Sequence, residues 1–336
     1  MTPELDLDFI LPLIFIAIMG FALLLYVILD GYDLGVGMLL PIGDEHEKDI
    51  MIASIGPFWD ANETWIVLGI GILLIAFPRA HGIVLTSLYI PVTIMLMALI
   101  LRGVAFDFRV KAGDTKKRRW NLAFFLGSLV ASLAQGWMLG SFITGLQPGF
   151  INYLFSSLIA ITLPALYVVL GCGWLMIKTE GRLFDKAMYW GRISVIPMGA
   201  VLILMSIATP LVSNSIAEKW FTLPNAIGLL PIPLSSTVAY LVVFWVLRRP
   251  DVAKAGYAWL VMGGTVAICV MSCIGLAYSI YPYIVLDQLT IWQAASATES
   301  LQFVLVGVLI TLPAILAYTF FVYRIFAGKA EPLTYE

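Results

Sequence analysis

The chain reads Pro57-Phe58-Trp59-Asp60-Ala61-Asn62-Glu63-Thr64-Trp65 within an otherwise apolar run. Asp60 and Glu63 are three positions apart, and Asp60 and Thr64 are four apart, so a helix places these side chains on one face. A carboxylate at membrane depth costs about 2.5 kcal/mol or more. This face must therefore meet a bundle interior, a partner or water, and we expect the other helices to be arranged to enclose it.

The composition is typical of a membrane protein. Of the 336 residues, 61% are hydrophobic and 12% are charged, and the mean hydropathy is +0.97, whereas soluble domains are about 45–50% apolar. Apolar blocks of about 20 residues, enough to cross the hydrocarbon core, predict nine spans. The N-terminus lacks the basic segment of a cleavable signal, so we expect the first span to be retained. The predicted spans are residues 9–29, 51–77, 82–105, 121–144, 154–177, 192–212, 225–247, 258–281 and 301–326.

The basic residues indicate an orientation. With the N-terminus outside, only Arg79 and Lys219 of the 19 Lys and Arg residues fall in outside segments. Because loops rich in Lys and Arg stay in the cytoplasm, we expect a periplasmic N-terminus and a cytoplasmic C-terminus. The charges are sorted by loop rather than gathered in a groove, so no nucleic-acid partner is expected.

A series of carboxylates leads inward from the basic side. Asp30 and Asp33 lie at the inner end of the first span, in a glycine-rich segment predicted to form the first inside loop. Asp60 and Glu63 follow in the second span, where Pro57 predicts a kink. Titratable groups within membranes often mark proton relays. For Asp30 and Asp33, a solvated loop with helix-end carboxylates is an equally open interpretation.

Two further features have alternative interpretations. Arg102 lies near the inner end of the third span, either as a side chain that snorkels to the interface or as an ion partner for the acids. Tyr26 and Tyr32 fit an interfacial aromatic belt. The amphipathic segment 289–295 is predicted to lie in the membrane interface.

Ligands for iron or another metal are scarce in this sequence. Its two histidines, His46 and His81, are predicted in loops, so bis-His haem ligation within this chain is excluded. The three cysteines lie in apolar spans, where packing is favoured over a metal or disulfide role. The sequence contains no P-loop, HExxH or GxSxG motif. We therefore expect no metal site and no self-contained catalytic centre, and place the chemistry in a partner.

Three motifs resemble subunit II of the cytochrome bd ubiquinol oxidases. They are Asp30-Gly-Tyr-Asp-Leu-Gly-Val-Gly-Met38, Trp59-Asp-Ala-Asn-Glu-Thr-Trp65 and Arg102-Gly-Val-Ala-Phe-Asp-Phe-Arg109. They occur in the family's order, and the resemblance covers essentially the whole chain. The short length and the Arg-Gly-Val-Ala-Phe form look most like the cyanide-insensitive branch.

The resemblance implies an all-α polytopic membrane protein with two four-helix bundles and one peripheral helix in a single membrane domain. The bundles would be residues 9–144 and 154–281, and the peripheral helix 301–326. It also implies a heterodimer in the bacterial cytoplasmic (inner) membrane. Its subunit I would hold haems b and d, or haem b only, while this chain would bind no cofactor itself.

The complex implied by the resemblance oxidises quinol and reduces oxygen to water with cytoplasmic protons. The family assigns proton-path roles to positions matching Asp60, Asp107 and Lys111. Trp59 and Trp65 are candidates for contact with subunit I or with a structural quinone, which some members carry near this helix. The resemblance also leaves room for a small single-helix accessory subunit.

A proton-coupled secondary transporter is the alternative. Intramembrane carboxylates, broken helices and nine spans would suit it. A transporter should purify alone and without visible absorbance, whereas an oxidase subunit should copurify with a haem-bearing chain.

Phe58 stands where some oxidase relatives have a His and Gln293 where some have an Asp, so neither position supplies a relay group.

Overall fold

The structure is a computed structural model that describes residues 6–330, apart from the side chains of Val110, Asp114 and Thr115. Nine helical segments in this range are long and apolar enough to cross a membrane, which confirms the prediction of an all-α polytopic protein. The longer helices are α1 (Leu7–Leu39), α3 (Trp59–Ala76), α4 (Pro78–Lys111), α5 (Asp114–Ile143), α6 (Phe150–Lys178), α7 (Gly181–Val212), α10 (Pro231–Leu247), α12 (Trp259–Ile280) and α14 (Thr298–Ile325). The shorter elements are α2 (Glu45–Ile55), α8 (Asn214–Phe221), α9 (Asn225–Leu229), α11 (Pro250–Val252), β1 (Tyr283–Val285), β2 (Leu289–Thr290) and α13 (Ile291–Ala294).

Helix α1 is longer than the sequence predicts. The first span was expected to end at residue 29 and to be followed by a glycine-rich loop, but α1 continues to Leu39. The glycines serve close helix contact instead, because a Cβ on Gly35 would overlap the backbone of Tyr167 and Gly171 in α6. Gly37 faces Ser128 of α5 in the same way. The C-terminal part of α1 is therefore stabilised as a helix by its contacts with α5 and α6.

The predicted second span, 51–77, consists of two helices. Helix α2 ends at Ile55, and α3 begins only at Trp59. Proline has no N–H to donate and disrupts a helix interior, and Gly56 precedes Pro57, so the interruption is more than the predicted kink. Asp60 consequently falls in the first turn of α3. Free backbone N–H groups and the helix dipole favour a carboxylate at this position.

Helices α1 and α6 form the centre of the packing. Helix α1 contacts α3, α5 and α6, and α6 also contacts α7 and α12. Helix α14 lies at the periphery, and only Leu301, Val308 and Val322 of its residues are buried. The division into two four-helix bundles plus a peripheral helix stays a prediction.

A small cap covers the ends of α1 and α3 on the side away from the basic loops. Strands β1 and β2 pair antiparallel and lead into α13. Trp292 stacks on Phe9 with 5.0 Å between ring centroids, and its Nε1 donates to the Phe9 carbonyl at 3.1 Å. The backbone N–H of Ser296 donates to the Ala76 carbonyl at 2.9 Å. The segment predicted to lie in the membrane interface is therefore packed against the protein.

Substitution of Gly35 by alanine tests the packing of α1 on α6. The added Cβ would overlap the Tyr167 carbonyl, so we expect G35A to destabilise the protein by about 1–3 kcal/mol, as overpacking does. Thermal unfolding of the purified protein would show this as a lower Tm. The matched control is G20A in the same helix, where a Cβ would meet nothing within 4 Å. Equal Tm values for G35A and G20A would contradict the packing.

Candidate functional site

Arg102 of α4 lies between two carboxylates from other helices. Its side chain is 0% exposed, its Nη1 lies 2.6 Å from Asp30 Oδ1 of α1, and its Nη2 lies 2.9 Å from Glu63 Oε2 of α3. A planar and permanently charged guanidinium is suited to holding two carboxylates at once. The snorkelling interpretation is wrong, because the side chain is directed inward. Gly127 of α5 backs the Arg102 backbone, where a larger residue would not fit.

Asp33 lies one turn after Asp30 and is also fully buried. The Asn62 amide Nδ2 donates to Asp33 Oδ2 at 2.8 Å and to the Tyr32 hydroxyl at 2.7 Å. Tyr323 of α14 donates to Asn62 Oδ1 at 3.0 Å, and the hydroxyls of Tyr32 and Tyr323 are 2.5 Å apart. The solvated-loop interpretation of Asp30 and Asp33 is therefore wrong. We call Asp30, Asp33, Asn62, Glu63 and Arg102 the acid cluster.

A second hydrogen-bonded group adjoins the acid cluster along α1. Gln135 Nε2 of α5 donates to the Tyr26 hydroxyl at 2.7 Å, and the Tyr167 hydroxyl donates to Gln135 Oε1 at 2.6 Å. Tyr26 lies one turn before Asp30. Both Tyr26 and Tyr32 are buried, so the prediction that they belong to an interfacial belt is wrong.

The acid cluster contains more acids than bases. Its three carboxyl groups face one guanidinium, and the buried Oδ1 of Asp33 has no hydrogen-bond partner among the described residues. Burying an uncompensated charge is costly. A carboxyl group that shares no cation is therefore expected to carry a proton.

Glu63 connects the acid cluster to the surface of the chain. Its side chain is 27% exposed, and it shares a face of α3 with the exposed residues Asp60 and Thr64. The expectation that this chain's own helices enclose the face is wrong for Asp60 and Thr64. The enclosed side of α3 is instead the side of Asn62 and Trp65, which packs toward α1.

The other predicted site residues lie outside the acid cluster. Asp107 and Lys111 are exposed on the last turns of α4, and no hydrogen bond or ion pair joins them to the acid cluster within the described part of the chain. The ring of Trp59 is half-buried and lies 6.0 Å from the Arg102 guanidinium. Trp65 is buried, and its Nε1 has no hydrogen-bond partner among the described residues.

Helix α2 is held on two sides by ion pairs at the basic side of the protein. Lys186 Nζ of α7 lies 2.6 Å from Glu47 Oε2, and Arg109 Nη2 of α4 donates to Asp49 at 2.8 Å. The backbone N–H of Glu47 donates to Asp44 and holds the pKa of that carboxyl below its usual value. These contacts fix the chain just before the interruption from which α3 begins.

A family model described as cytochrome bd terminal oxidase subunit II matches residues 11–326. The chain belongs to this family. It is 28% identical over 331 residues to cytochrome bd ubiquinol oxidase subunit 2 of Bacillus subtilis (strain 168), covering 91% of this chain and 94% of the relative. It is 25% identical over 366 residues to cytochrome bd-I ubiquinol oxidase subunit 2 of Escherichia coli (strain K12), covering 95% of both chains.

A solved structure shares the fold of this subunit II. The bd oxidase from Geobacillus thermodenitrificans aligns with a TM-score of 0.74 and 18% sequence identity, covering 94% of this chain and 98% of that chain. Membership of the family makes the chain a multi-pass membrane subunit of a haem-containing quinol oxidase, an oxidoreductase complex, and implies a subunit I partner. The family match supersedes the transporter alternative.

Several polar residues of the site were not predicted from the sequence. Asn62 was named only as part of the opening motif, and Gln135 was not singled out. A glutamine in the middle of an apolar span is a signal that could have marked Gln135. Tyr323 gives no such signal, because a tyrosine near a helix end fits an interfacial belt, and its partners are remote in sequence.

Replacement of Arg102 by methionine tests the role of the guanidinium in holding the cluster. R102M leaves the buried Asp30 without its cation, and removing one member of a buried pair costs about 3–5 kcal/mol. We expect a marked fall in the Tm of the purified complex, and partial recovery in R102M/D30N because the neutral amide needs no counter-charge. R119M, at an exposed position of α5, is the control. A Tm for R102M equal to that of R119M would show that the ion pairs contribute little.

Proposed function

We propose that this chain is the haem-free subunit II of a heterodimeric bd-type quinol oxidase and that its acid cluster supplies protons for reducing oxygen to water. The observation that carries the proposal is the buried Arg102 between Asp30 and Glu63, with Glu63 reaching the chain surface. Protons move along titratable groups, and acids within membrane spans often form such relays. In this proposal the acid cluster offers protons buried carboxyl groups at Asp30 and Asp33 and an exit at the chain surface through Glu63.

The surface that exposes Asp60 and Glu63 is proposed to face subunit I. Lipid disfavours carboxylates within the hydrocarbon region, so these side chains require a covering protein or a water-filled space between subunits. Trp59 adjoins them on α3 and is a candidate for the subunit contact. Asp107 and Lys111, on the exposed inner end of α4, are proposed to lie at the proton entrance.

The positions of the two histidines support a haem-free subunit. The prediction that both histidines lie in loops is wrong, because both are helical. His46 lies in α2, which is held at Asp49 by Arg109 near the end of α4, and His81 lies in the first turns of α4. The 28 steps from His81 to Arg109 correspond to about 40 Å of helix, with one kink at Leu88, so the two imidazoles are too far apart to ligate one iron. We therefore place the haems, b and d or b only, in subunit I, where they would carry electrons to oxygen.

In this proposal each group of the acid cluster has a separate task. Asp33 and Asp30 take up protons from the basic side, which we propose to be cytoplasmic, with the C-terminus there and the N-terminus in the periplasm. Arg102 stabilises whichever carboxyl is ionised, and Glu63 passes the proton to the subunit interface. Four further parts of the proposal rest on the resemblance alone. They are the division into two bundles, the inner-membrane location, a structural quinone near Trp59 and Trp65, and a single-helix accessory subunit.

Neutral substitutions in the acid cluster test the proton role. We expect E63Q and D30N to lower quinol-dependent oxygen uptake about tenfold or more, as an added barrier of about 1.4 kcal/mol would do, while the haem absorbance of the complex stays intact. The measurement combines oxygen consumption with the visible spectrum of the purified complex. D251N, at an exposed carboxylate outside the spans, is the matched control.

Two results would separate the possible roles. Wild-type turnover and proton uptake in both E63Q and D30N would reduce this subunit to a scaffold. Loss of haem absorbance in D60N, with oxygen uptake falling in proportion, would assign Asp60 to assembly of the heterodimer rather than to proton transfer.

A further inference from the structure

The inner end of α14 is attached to the acid cluster although the helix is otherwise peripheral. Tyr323 lies in its last turns, and its hydroxyl contacts both the Asn62 amide and the Tyr32 hydroxyl, at 3.0 and 2.5 Å. Asn62 in turn donates to Asp33. Tyr323, on the mostly exposed helix α14, is thus linked to the fully buried Asp33 through the side-chain amide of Asn62.

Aromatic rings surround Tyr323 on the basic side of the acid cluster. Its ring lies 4.6 Å from Phe58 and 5.9 Å from Trp174, and Trp174 stacks on Tyr32 at 4.2 Å. Offset and edge-on aromatic contacts of this kind fix ring positions. Phe58, which stands where some relatives have a His, is therefore one of the aromatic residues that hold the Tyr323 ring in place.

The chain beyond α14 is pinned to the end of α6. Lys178 Nζ donates to the carbonyls of Phe326 and Gly328. Lys329 Nζ donates to the carbonyls of Ile177 and Thr179, each at 3.0 Å. These contacts follow directly on Tyr323 in sequence and set the position of its helix turn relative to α6.

We infer that Tyr323 is a positioning residue that orients the Asn62 amide toward Asp33; the inference rests on the proton role proposed above. An amide has one oxygen and one nitrogen, and its orientation depends on the partners of both. Because Tyr323 donates to the oxygen, the nitrogen is directed at Asp33. Without the hydroxyl the amide oxygen loses a donor, and the orientation that serves Asp33 is no longer enforced. Helix α14 is thereby part of the proton route rather than only a peripheral span.

The substitution Y323F in the whole heterodimer tests this inference, because the ring is kept and only the hydroxyl is removed. We expect kcat for oxygen uptake to fall about tenfold with the quinol KM unchanged. We also expect the infrared carboxyl band that D33N abolishes to shift in Y323F, a change that loss of packing alone would not produce. Y318F is the matched control, since Tyr318 is an exposed tyrosine of the same helix.

The double variant D33N/Y323F separates this inference from the proposed function. If Tyr323 acts through Asp33, the double variant has the turnover of D33N alone. An effect of D33N with wild-type turnover and an unmoved carboxyl band in Y323F would overturn the role of Tyr323 and leave the proton role standing. Wild-type turnover in D33N, D30N and E63Q would refute the proton role itself. If Y323F lowers turnover by the same factor in the wild-type and in the D33N background, the hydroxyl acts independently of Asp33.

Discussion

The structure depends on a guanidinium that has no access to water within this chain. Arg102 stays charged under all ordinary conditions, and its fully buried position would be untenable without nearby carboxylates. Asp30 comes from α1 and Glu63 from α3, so the two ion pairs tie three spans together at one point. Asp30 lies within α1, which continues to Leu39, and Glu63 lies in the second turn of α3, which begins at Trp59 after the interruption.

Such an ion-paired cluster is a poor device for stability alone. Replacing buried ion pairs by well-packed apolar residues is often neutral or stabilising. Apolar residues at these positions would therefore stabilise the fold as well as the ion pairs do. The cluster also holds a third acid, Asp33, whose direct contact is an uncharged amide. An excess of acids over bases makes sense where protons must be taken up and released. In the proposed function, the partial exposure of Glu63 would give those protons an exit at the surface of this subunit.

The sequence predicts the membrane class and nine spans well because these depend on composition and length, which are local properties. It fails where long-range packing decides. The glycines at 35 and 37 were predicted in a loop, and it is the close approach of α6 and α5 that keeps this segment helical. Asp60 was expected on an enclosed face, but its exposure depends on which side of α3 meets α1. Tyr323 was not predicted because its partners, Tyr32 and Asn62, are remote in sequence.

An experimental structure of the assembled heterodimer, at a resolution that shows ordered water, tests the account most directly. The account predicts that the face of α3 with Asp60 and Glu63 is covered by the haem-bearing subunit. It also predicts that water molecules or polar side chains link Glu63 to that subunit while Arg102 stays between Asp30 and Glu63. Acyl chains packed against Asp60 and Glu63, with subunit I bound to another face, would contradict it.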